Sequence, residues 1–318
     1  MIAYASRRAL SSLPVLAIVA TLTFAMIRVL PGDLAEVQLG QQGSPEAVRE
    51  LRVKLGLDRP LIDQYAHWLR SAATGDFGAS DSNGRAVTAQ FFDAFPATAE
   101  LAVLSMCIAL FVSIPLGIVA ALRPNSIIDH AARIVAVAGQ AVPSFWIATI
   151  ALIYLSIYAS WSPPIFYRSF WQSPADNFGQ MVIPVLILAW SLSSVIVRIV
   201  RSEIRDIMGQ DFVRTARSKG LAQATVLYRH VMRHALIPTI TVAGVKLSAI
   251  IGGTVILEQI FALPGVGKLT LQALLDRDYT QLQFNVLMFA VGVVLLNLLV
   301  DLCYALVDPR LTSRKARA

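Results

Sequence analysis

The chain has 318 residues, of which 15% are charged and 56% are hydrophobic, and its net charge is +7. A soluble globular domain carries about 25% charged residues, so this composition excludes a soluble domain, and its high apolar content excludes a disordered chain. The two cysteines, Cys107 and Cys303, lie within apolar runs and provide neither a disulfide framework nor a metal-ligand cluster. These properties predict an integral membrane protein.

Six apolar segments are long enough to cross a bilayer as helices, because a hydrocarbon core of about 30 Å requires about 20 residues. The first segment follows Arg7 and Arg8, its apolar stretch is too long for a signal peptide, and no A-x-A cleavage site follows it before Pro31, so we expect an uncleaved anchor. The sequence therefore predicts an all-α integral membrane protein with six transmembrane helices, at approximately residues 9–30, 97–122, 131–158, 180–200, 236–258 and 283–307.

The segment between the first two predicted spans, residues 31–96, is long enough to fold outside the membrane. Apolar residues recur with helical spacing in Pro45–Lys54 and Leu61–Leu69, and Gly75-Asp76-Phe77-Gly78 has the composition of a turn. Nine acidic and six basic side chains make this segment acidic. We therefore expect a folded external segment between helices 1 and 2.

Positive charge is concentrated between the fourth and fifth spans, where residues 198–235 hold eight basic and three acidic side chains. Because cytoplasmic loops of membrane proteins are enriched in Lys and Arg, this segment and both termini are predicted to be cytoplasmic. The net charge of +7 thus reflects the orientation of the chain in the membrane and requires no nucleic-acid partner.

Residues 201–235 are predicted to fold as two helices that are joined at a glycine. Asp211 is expected to cap a first helix that continues through Lys219, and Gly220 to end it with a positive φ. A second helix is expected to begin near Ala222 and to lead into the fifth span. Apolar residues are interspersed with the charges, which favours docking to a protein over binding to lipid headgroups: Phe212, Val213, Leu221, Val226 and Leu227.

The same segment resembles the EAA loop of ABC importer permeases, in the form that is typical of the dipeptide/oligopeptide/nickel permease family. The pattern R-T-A-R-x-K-G-L, followed by R-H and A-L-I-P, is matched by Arg214–Leu221, Arg229-His230 and Ala235–Pro238. Further matches follow in order along the whole chain: Pro31-Gly32-Asp33, Leu55–Pro60, Gly75–Gly78, Pro143-Ser144-Phe145, Glu258–Phe261, Pro264–Gly267 and Asp308-Pro309-Arg310. Each match is weak by itself, but the ordered set is specific.

The resemblance implies a type I ABC importer permease fold, with an anchor helix and external segment in residues 1–95 and the permease domain in residues 96–318. It implies a chain that is not an enzyme and holds no cofactor. The implied partners are a second homologous permease subunit, two cytoplasmic ATPase subunits that bind ATP and Mg, and an external substrate-binding protein. Residues 201–235 are then the coupling loop, and the residues expected to couple it to an ATPase are Asp211, Arg214, Thr215, Ala216, Arg217, Lys219, Gly220 and Leu221.

The expected function is transport of dipeptides or oligopeptides across the bacterial cytoplasmic membrane by alternating access. Nickel chelates or another small ligand of the same family are alternative cargoes. An ion-coupled secondary transporter is a less favoured class, because it would need carboxylates deep in the membrane, and few lie far from the ends of the predicted spans.

Two further patterns resemble a nucleotide-binding site and a zinc site, but neither is complete. Gly265–Thr270 resembles a phosphate loop, but Ala262 and Leu269 stand where such a loop needs Gly and Ser or Thr. We therefore expect an external turn that leads into a helix along the membrane surface. His230 and His234 have the spacing of a zinc site, but no nearby carboxylate or thiol completes a ligand set, and no metal is expected.

Lys246 follows Pro238 by eight residues, which places it about 12 Å into the predicted fifth span. An ionisable group at that depth faces either a partner group or a water-filled path. Lys246 is therefore expected either to pair with a buried carboxylate or carbonyl, or to line the translocation path and attract an anionic group of the substrate. On the same span, Gly244, Ser248 and Gly252 form a stripe of small residues that predicts close helix packing.

Overall fold

The computed structural model describes residues 2–29, 44–54, 56–164 and 166–307, and all regular elements within these ranges are helices. The matches at Pro31-Gly32-Asp33 and Asp308-Pro309-Arg310 lie outside them. The helices are α1 (Ile2–Val29), α2 (Pro45–Lys54), α3 (Leu61–Thr74), α4 (Val87–Leu122), α5 (Ile127–Ala141), α6 (Ser144–Ala159), α7 (Pro174–Met208), α8 (Asp211–Ser218), α9 (Gln223–Thr225), π1 (Val226–Val231), α10 (Met232–Gly253), α11 (Val255–Ile260), α12 (Val266–Leu275) and α13 (Tyr279–Val307).

Several of these helices are long and apolar enough to cross a bilayer. Among the described residues, α4, α7 and the Tyr279–Tyr304 part of α13 meet this criterion individually, and α5 and α6 meet it only together. The apolar stretch Leu10–Met26 of α1 is shorter than this criterion requires. The chain is thus an all-α, multi-pass membrane protein. The number of six crossings stays a prediction. So does the domain boundary after residue 95, which falls inside the continuous helix α4.

The single helix predicted for residues 131–158 is wrong. The structure divides this segment into α5 and α6, which meet at an angle of 94°. Proline has no N–H to continue a helix and disfavours helical backbone in the residue before it. Pro143 acts in this way here, since Val142 adopts extended backbone with φ −96° and ψ 120°.

The centre of the molecule is the pair α4 and α7. The hydroxyls of Ser105 and Ser113 on α4 donate to the backbone carbonyls of Val185 and Ser193 on α7, at 3.2 and 3.3 Å. Gly117 allows the closest approach, because a Cβ in its place would lie 2.7 Å from a methyl carbon of Val200. Small and hydroxyl side chains therefore set the spacing of these two helices.

The predicted small-residue stripe on α10 is used within this chain. A Cβ added at Gly244 would overlap the side chain of Val300 on α13, so the two helices can approach this closely only with glycine at this position. The hydroxyl of Ser248 is buried and has no hydrogen-bond partner among the described residues. Gly244 of this stripe thus allows α10 and α13 to pack closely.

Two groups of contacts define the two ends of the molecule. At one end, Arg8 forms an ion pair with Asp301 at 2.8 Å, and Tyr304 donates to the hydroxyl of Thr241 at 2.5 Å. These contacts bring the starts of α1 and α10 beside the end of α13, at the end of the molecule that carries the coupling loop. At the opposite end, Asp278 accepts hydrogen bonds from residues 80–82 and so holds the segment before α4 against the start of α13.

The two helices predicted within residues 31–96 are confirmed as α2 and α3, while the external position of this segment stays a prediction. Gly75 ends α3 in the left-handed conformation with φ 82°, and the backbone N–H of Gly78 donates to Asp76 at 3.1 Å, as a turn at these residues requires. Phe24 on α1 contacts the aromatic rings of Tyr65 and Trp68, which lie on α3. Helix α3 thus contacts α1.

Candidate coupling site

The short helix α8 is amphipathic and presents a charged face to the outside. Val213 and Ala216 are buried, while Arg214, Thr215 and Arg217 are exposed between them. This is the pattern that three- and four-residue spacing produces when one face of a helix packs and the other is free. The predicted ATPase-coupling residues therefore lie together on one helix and the turn after it, and most of their side chains are available to a partner.

Gly220 forms the corner that the sequence predicts. Its φ is +77°, in the left-handed region that glycine adopts without strain. The N–H of Gly220 donates to the carbonyl of Arg217 at 2.9 Å, and the N–H of Leu221 reaches that of Ala216 at 3.4 Å. These two bonds satisfy carbonyls that the end of α8 would otherwise leave free, and the helix ends at Ser218 with Lys219 as its C-cap, one residue earlier than expected.

The predicted capping role of Asp211 is wrong. Gln210 precedes the first helical residue and makes no side-chain cap hydrogen bond, and Asp211 is itself the first residue of α8. The Asp211 carboxylate instead accepts from the Arg214 guanidinium at 2.7 Å, and both side chains are largely exposed. A carboxylate in the first turn still favours the helix electrostatically, but an ion pair exposed in this way contributes little stability.

The second part of the coupling loop is helical without interruption from Gln223 to Gly253, through α9, π1 and α10. Ala222 precedes it and provides no side-chain cap, so this helix depends on packing. Val226, Leu227 and Val231 are buried in the same cluster as Val213. The structure therefore connects the coupling loop to α10 through one continuous helical segment.

The apolar residues of the coupling loop divide into two groups. Val213, Val226 and Leu227 are buried and hold the loop against the rest of the chain. Phe212 and Leu221 are 38% and 40% exposed, and they form an apolar part of the surface beside the charges of α8. Only this second group can contact a partner.

His234, the second of the paired histidines, packs within the coupling loop. Within the described ranges, no group of three or more metal-ligating side chains is assembled anywhere in the structure. The ring of His234 lies 5.7 Å from that of Phe212, so this histidine packs against α8.

A buried ion pair lies where α7 leads toward the coupling loop, and sequence reasoning missed it. Asp129 on α5 is fully buried and accepts from the Arg201 guanidinium at 2.5 and 3.0 Å. Arg133 and the backbone N–H of Asn125 donate to the same carboxylate, at 3.1 and 2.9 Å. Residues 72 positions apart are joined here, so the sequence contained only the three charges and not their pairing.

Lys246 is half-buried on α10 and has no ion-pair or hydrogen-bond partner among the described residues. Of the two expectations for this residue, pairing with a buried carboxylate or carbonyl of this chain therefore lacks support in this part of the molecule. Val245 and Ala249 beside it are exposed, so Lys246 lies at the edge of a face of α10 that the chain itself leaves uncovered.

The turn that resembles a phosphate loop binds a carboxylate of its own chain. The backbone N–H of Lys268 donates to Glu258 at 2.8 Å, and that of Val266 donates to the hydroxyl of Thr98 at 2.8 Å. Backbone N–H groups at a helix N-terminus favour an anion, and here Glu258 occupies that place. The turn leads into the expected helix, α12, which carries exposed Leu274 and Leu275, and its external position along the membrane surface stays a prediction.

The sequence matches two family profiles that together cover most of the chain. Residues 113–313 match the binding-protein-dependent transport system inner membrane component, and residues 1–102 match the N-terminal part of such membrane components. A Brucella abortus (strain 2308) protein named as a peptide transport system permease is 40% identical over 310 residues, which are 98% of this chain and 99% of that protein.

Two further comparisons agree with these matches. The dipeptide transport system permease protein DppB of Escherichia coli (strain K12) is 33% identical over 339 residues, with 99% of this chain and 100% of that protein covered. The solved structure of the MetNI methionine ABC transporter, in inward-facing conformations, has a TM-score of 0.55 at 16% identity and covers 70% of this chain and 97% of the matched chain. This second likeness shows a shared fold.

Proposed function

The chain belongs to the family of binding-protein-dependent transport system inner membrane components, and from this premise we propose that it is the permease subunit of an ATP-driven peptide importer. It forms the translocation path for dipeptides or oligopeptides and works by alternating access. The observation that carries the cargo assignment is similarity along the full length, since relatives named for peptide and dipeptide transport are 40% and 33% identical over 98% and 99% of this chain. ATP hydrolysis belongs to separate subunits of such a system.

The partners follow from the family and from the two ends of the molecule. We propose a second homologous permease, two ATPase subunits that bind ATP and Mg at the coupling-loop end, and a substrate-binding protein at the opposite end. The concentration of basic residues in 198–235 supports a cytoplasmic position for the coupling loop and both termini, in a bacterial cytoplasmic membrane. The acidic segment 31–96 then lies outside, where the binding protein docks.

The surface that contacts an ATPase is proposed to be the exposed face of α8 with the Gly220 turn. Its side chains combine charge with apolar area, as Arg214 and Arg217 lie beside the exposed parts of Phe212 and Leu221. Cationic and aromatic groups around an apolar patch are typical of protein interfaces. Val213 and Ala216 on the opposite face fix the helix to the body of the chain.

Transport of labelled peptides by the complete transporter in proteoliposomes tests the proposed cargo. We expect uptake of a dipeptide that requires both ATP and the binding protein and that is insensitive to collapse of ion gradients. Uptake of a nickel chelate in place of peptides would redirect the assignment within the family. Uptake that follows an ion gradient without ATP would contradict the importer assignment.

Lys246 is proposed to line the translocation path and to attract the carboxylate of the peptide. Lys246→Gln should raise the KM for a dipeptide with a free C-terminal carboxylate by about ten-fold, because a hydrogen bond to a charged group contributes about 1.5–3 kcal/mol. The same change should leave the KM for the C-terminally amidated dipeptide unaltered. Uptake assays with both peptides measure the difference, and Lys268→Gln, outside the predicted spans, is the matched lysine control, because glutamine keeps the backbone N–H that Lys268 donates to Glu258. Unchanged uptake and substrate preference in Lys246→Gln would rule out this role.

A further inference from the structure

A buried polar cluster at the end of the molecule opposite the coupling loop has no place in the function proposed so far. We call it the Glu258 cluster, and its members are Thr98, Thr254, Glu258, Val266 and Lys268. The Glu258 side chain is 0% exposed and accepts from the hydroxyls of Thr98 and Thr254, at 2.8 and 2.7 Å. With the N–H of Lys268 at 2.8 Å as its third donor, both oxygens of the carboxylate are hydrogen-bonded.

The turn before α12 is shaped around this carboxylate. A Cβ in place of Gly265 would overlap the carboxyl group of Glu258, and one at Gly267 would lie 3.0 Å from an oxygen of Glu258 and 2.9 Å from a methyl carbon of Val255. Thr98 completes the enclosure, because its hydroxyl donates to Glu258 and accepts from the N–H of Val266 at 2.8 Å. Three separate segments are therefore fixed to one side chain.

The Glu258 cluster follows directly on the helical segment that begins in the coupling loop. This segment runs without interruption from Gln223 to Gly253, and α11 starts at Val255. Gly252 and Gly253 end it, and consecutive glycines permit backbone rotation that other residues resist. Thr254 and Glu258, immediately beyond the glycines, are the residues that the cluster holds.

An apolar gap lies beside the cluster and beside one face of α10. An apolar cleft of about 150 Å³ lies between α4, α10 and α13, and its walls include Leu247, Phe289 and Leu296 as well as Thr98. Leu247 of α10 therefore borders this gap, and the segment beyond Gly253 is held by hydrogen bonds and by buried Leu257, Phe261 and Leu263.

We propose that the Glu258 cluster is the fixed joint about which α10 tilts when the coupling loop moves, so that Glu258 is a positioning residue for transport. When the coupling loop moves the Gln223 end of this helical segment, the backbone rotates at Gly252 and Gly253. Helix α11, beyond the glycines, is not displaced. This inference rests on the proposed function, because it assumes that an ATPase moves the coupling loop.

Glu258→Gln tests the joint with little change in shape. The glutamine amide replaces one carboxylate oxygen, which accepts hydrogen bonds, with an NH2 group, which donates them. This NH2 group must face either the Lys268 N–H or the threonine hydroxyls, which are themselves donors to Glu258. We expect the number of peptides transported per ATP hydrolysed to fall about ten-fold, which corresponds to about 1.4 kcal/mol. Thr98→Val, which keeps the shape and removes the hydroxyl, should have the same effect, while Thr98→Ser should not.

Glu100→Gln is the matched control. Glu100 lies on α4 and, like Glu258, has a hydrogen-bonded carboxylate, but it does not contact the Glu258 cluster. It accepts from Tyr167 at 2.6 Å and from Asn177 at 3.1 Å. Burial and the Glu100 carboxylate raise the pKa of Tyr167, so this hydroxyl keeps its proton and stays a donor. We expect Glu100→Gln to lower thermal stability as Glu258→Gln does and to leave the ratio of transport to hydrolysis unchanged.

Spin-label distances measure the joint itself and need no transported peptide. The complete transporter is labelled at an outer pair, Phe92 and Gln259, or at an inner pair, Arg123 and Tyr228, after serine replaces both native cysteines. All four positions are exposed. On addition of ATP and vanadate, the inner distance should change by several ångströms while the outer distance stays constant. In Glu258→Gln the outer distance distribution should broaden.

The two kinds of failure can be told apart. If peptides are not transported but the inner distance changes and the outer distance stays constant, the cargo assignment fails and the joint stands. If the outer pair of the unmodified transporter moves as far as the inner pair, there is no fixed joint. The proposal is also overturned if Glu258→Gln keeps both a narrow outer distribution and the unmodified ratio of transport to hydrolysis.

Discussion

Gly220→Pro should abolish substrate-stimulated ATP hydrolysis in the assembled transporter while leaving the permease inserted in the membrane. Proline holds φ near −65°, whereas Gly220 has φ +77°, and proline lacks the N–H that Gly220 donates to Arg217. The turn between α8 and α9 cannot form with this residue. Because α8 is the proposed contact with the ATPase, its loss should lower stimulated hydrolysis by at least about ten-fold, a factor that corresponds to about 1.4 kcal/mol. Phosphate release in proteoliposomes measures this.

Two alanine variants separate the turn from general damage to the loop. A Cβ at Gly220 would meet nothing within 4 Å, so Gly220→Ala is penalised only by its backbone angle, by about 1–2 kcal/mol, and should give a partial loss. Gly209 has φ −82° at the other end of α8, where alanine is tolerated, so Gly209→Ala should be silent. Arg217→Glu keeps the backbone and reverses one exposed charge of the contact surface, and it should also uncouple. Normal stimulated hydrolysis in Gly220→Pro or Arg217→Glu would contradict the assignment of the coupling loop.

The features that the sequence predicts well are those that depend on neighbouring residues. Apolar length locates the long helices, helical spacing locates α2 and α3, and the glycines that end helices locate the corners at Gly75 and Gly220. The α5–α6 bend was also local information, since Val142-Pro143 carries the signal of a helix end. The bend was not predicted because residues 131–158 are apolar over a length that can cross a bilayer. That criterion does not consider the backbone hydrogen bond that proline removes.

The features that the sequence could not provide are pairings between distant residues. Thr98 and Glu258 are 160 positions apart, and Arg201 and Asp129 are 72 apart. In each case the polar side chain lies near the end of a predicted span, where it could either face solvent or be buried against a partner. Composition alone does not distinguish these two environments. Burial decides between them, because an unpaired charge inside the protein is far more costly than one in water. These contacts hold the ends of the helices together. The residues that fix the helices to one another can therefore be identified only once the fold is known.

Asp129→Ala should be the most destabilising single change on the coupling-loop side. It leaves the guanidinium of Arg201, whose side chain is only 16% exposed, without its carboxylate. Removing one partner of a buried pair typically costs about 3–5 kcal/mol. We expect about 3 kcal/mol, the lower end of that range, because Arg133 in the same group is 44% exposed and can turn to water. Thermal unfolding of the purified permease in detergent measures the loss.

An exposed ion pair of the same composition provides the comparison. Arg85 and Asp93 lie 3.0 Å apart with side chains 61% and 70% exposed, so Asp93→Ala should cost less than about 1 kcal/mol. The double variant Asp129→Leu with Arg201→Met should recover much of the stability, since apolar side chains of similar size can replace a buried pair. It should still transport poorly, because the Asp129–Arg201 pair fixes α7 to α5 in one register, and α8 follows α7 after only Gly209 and Gln210. Equal losses from Asp129→Ala and Asp93→Ala would show that the buried pair does not anchor the coupling loop.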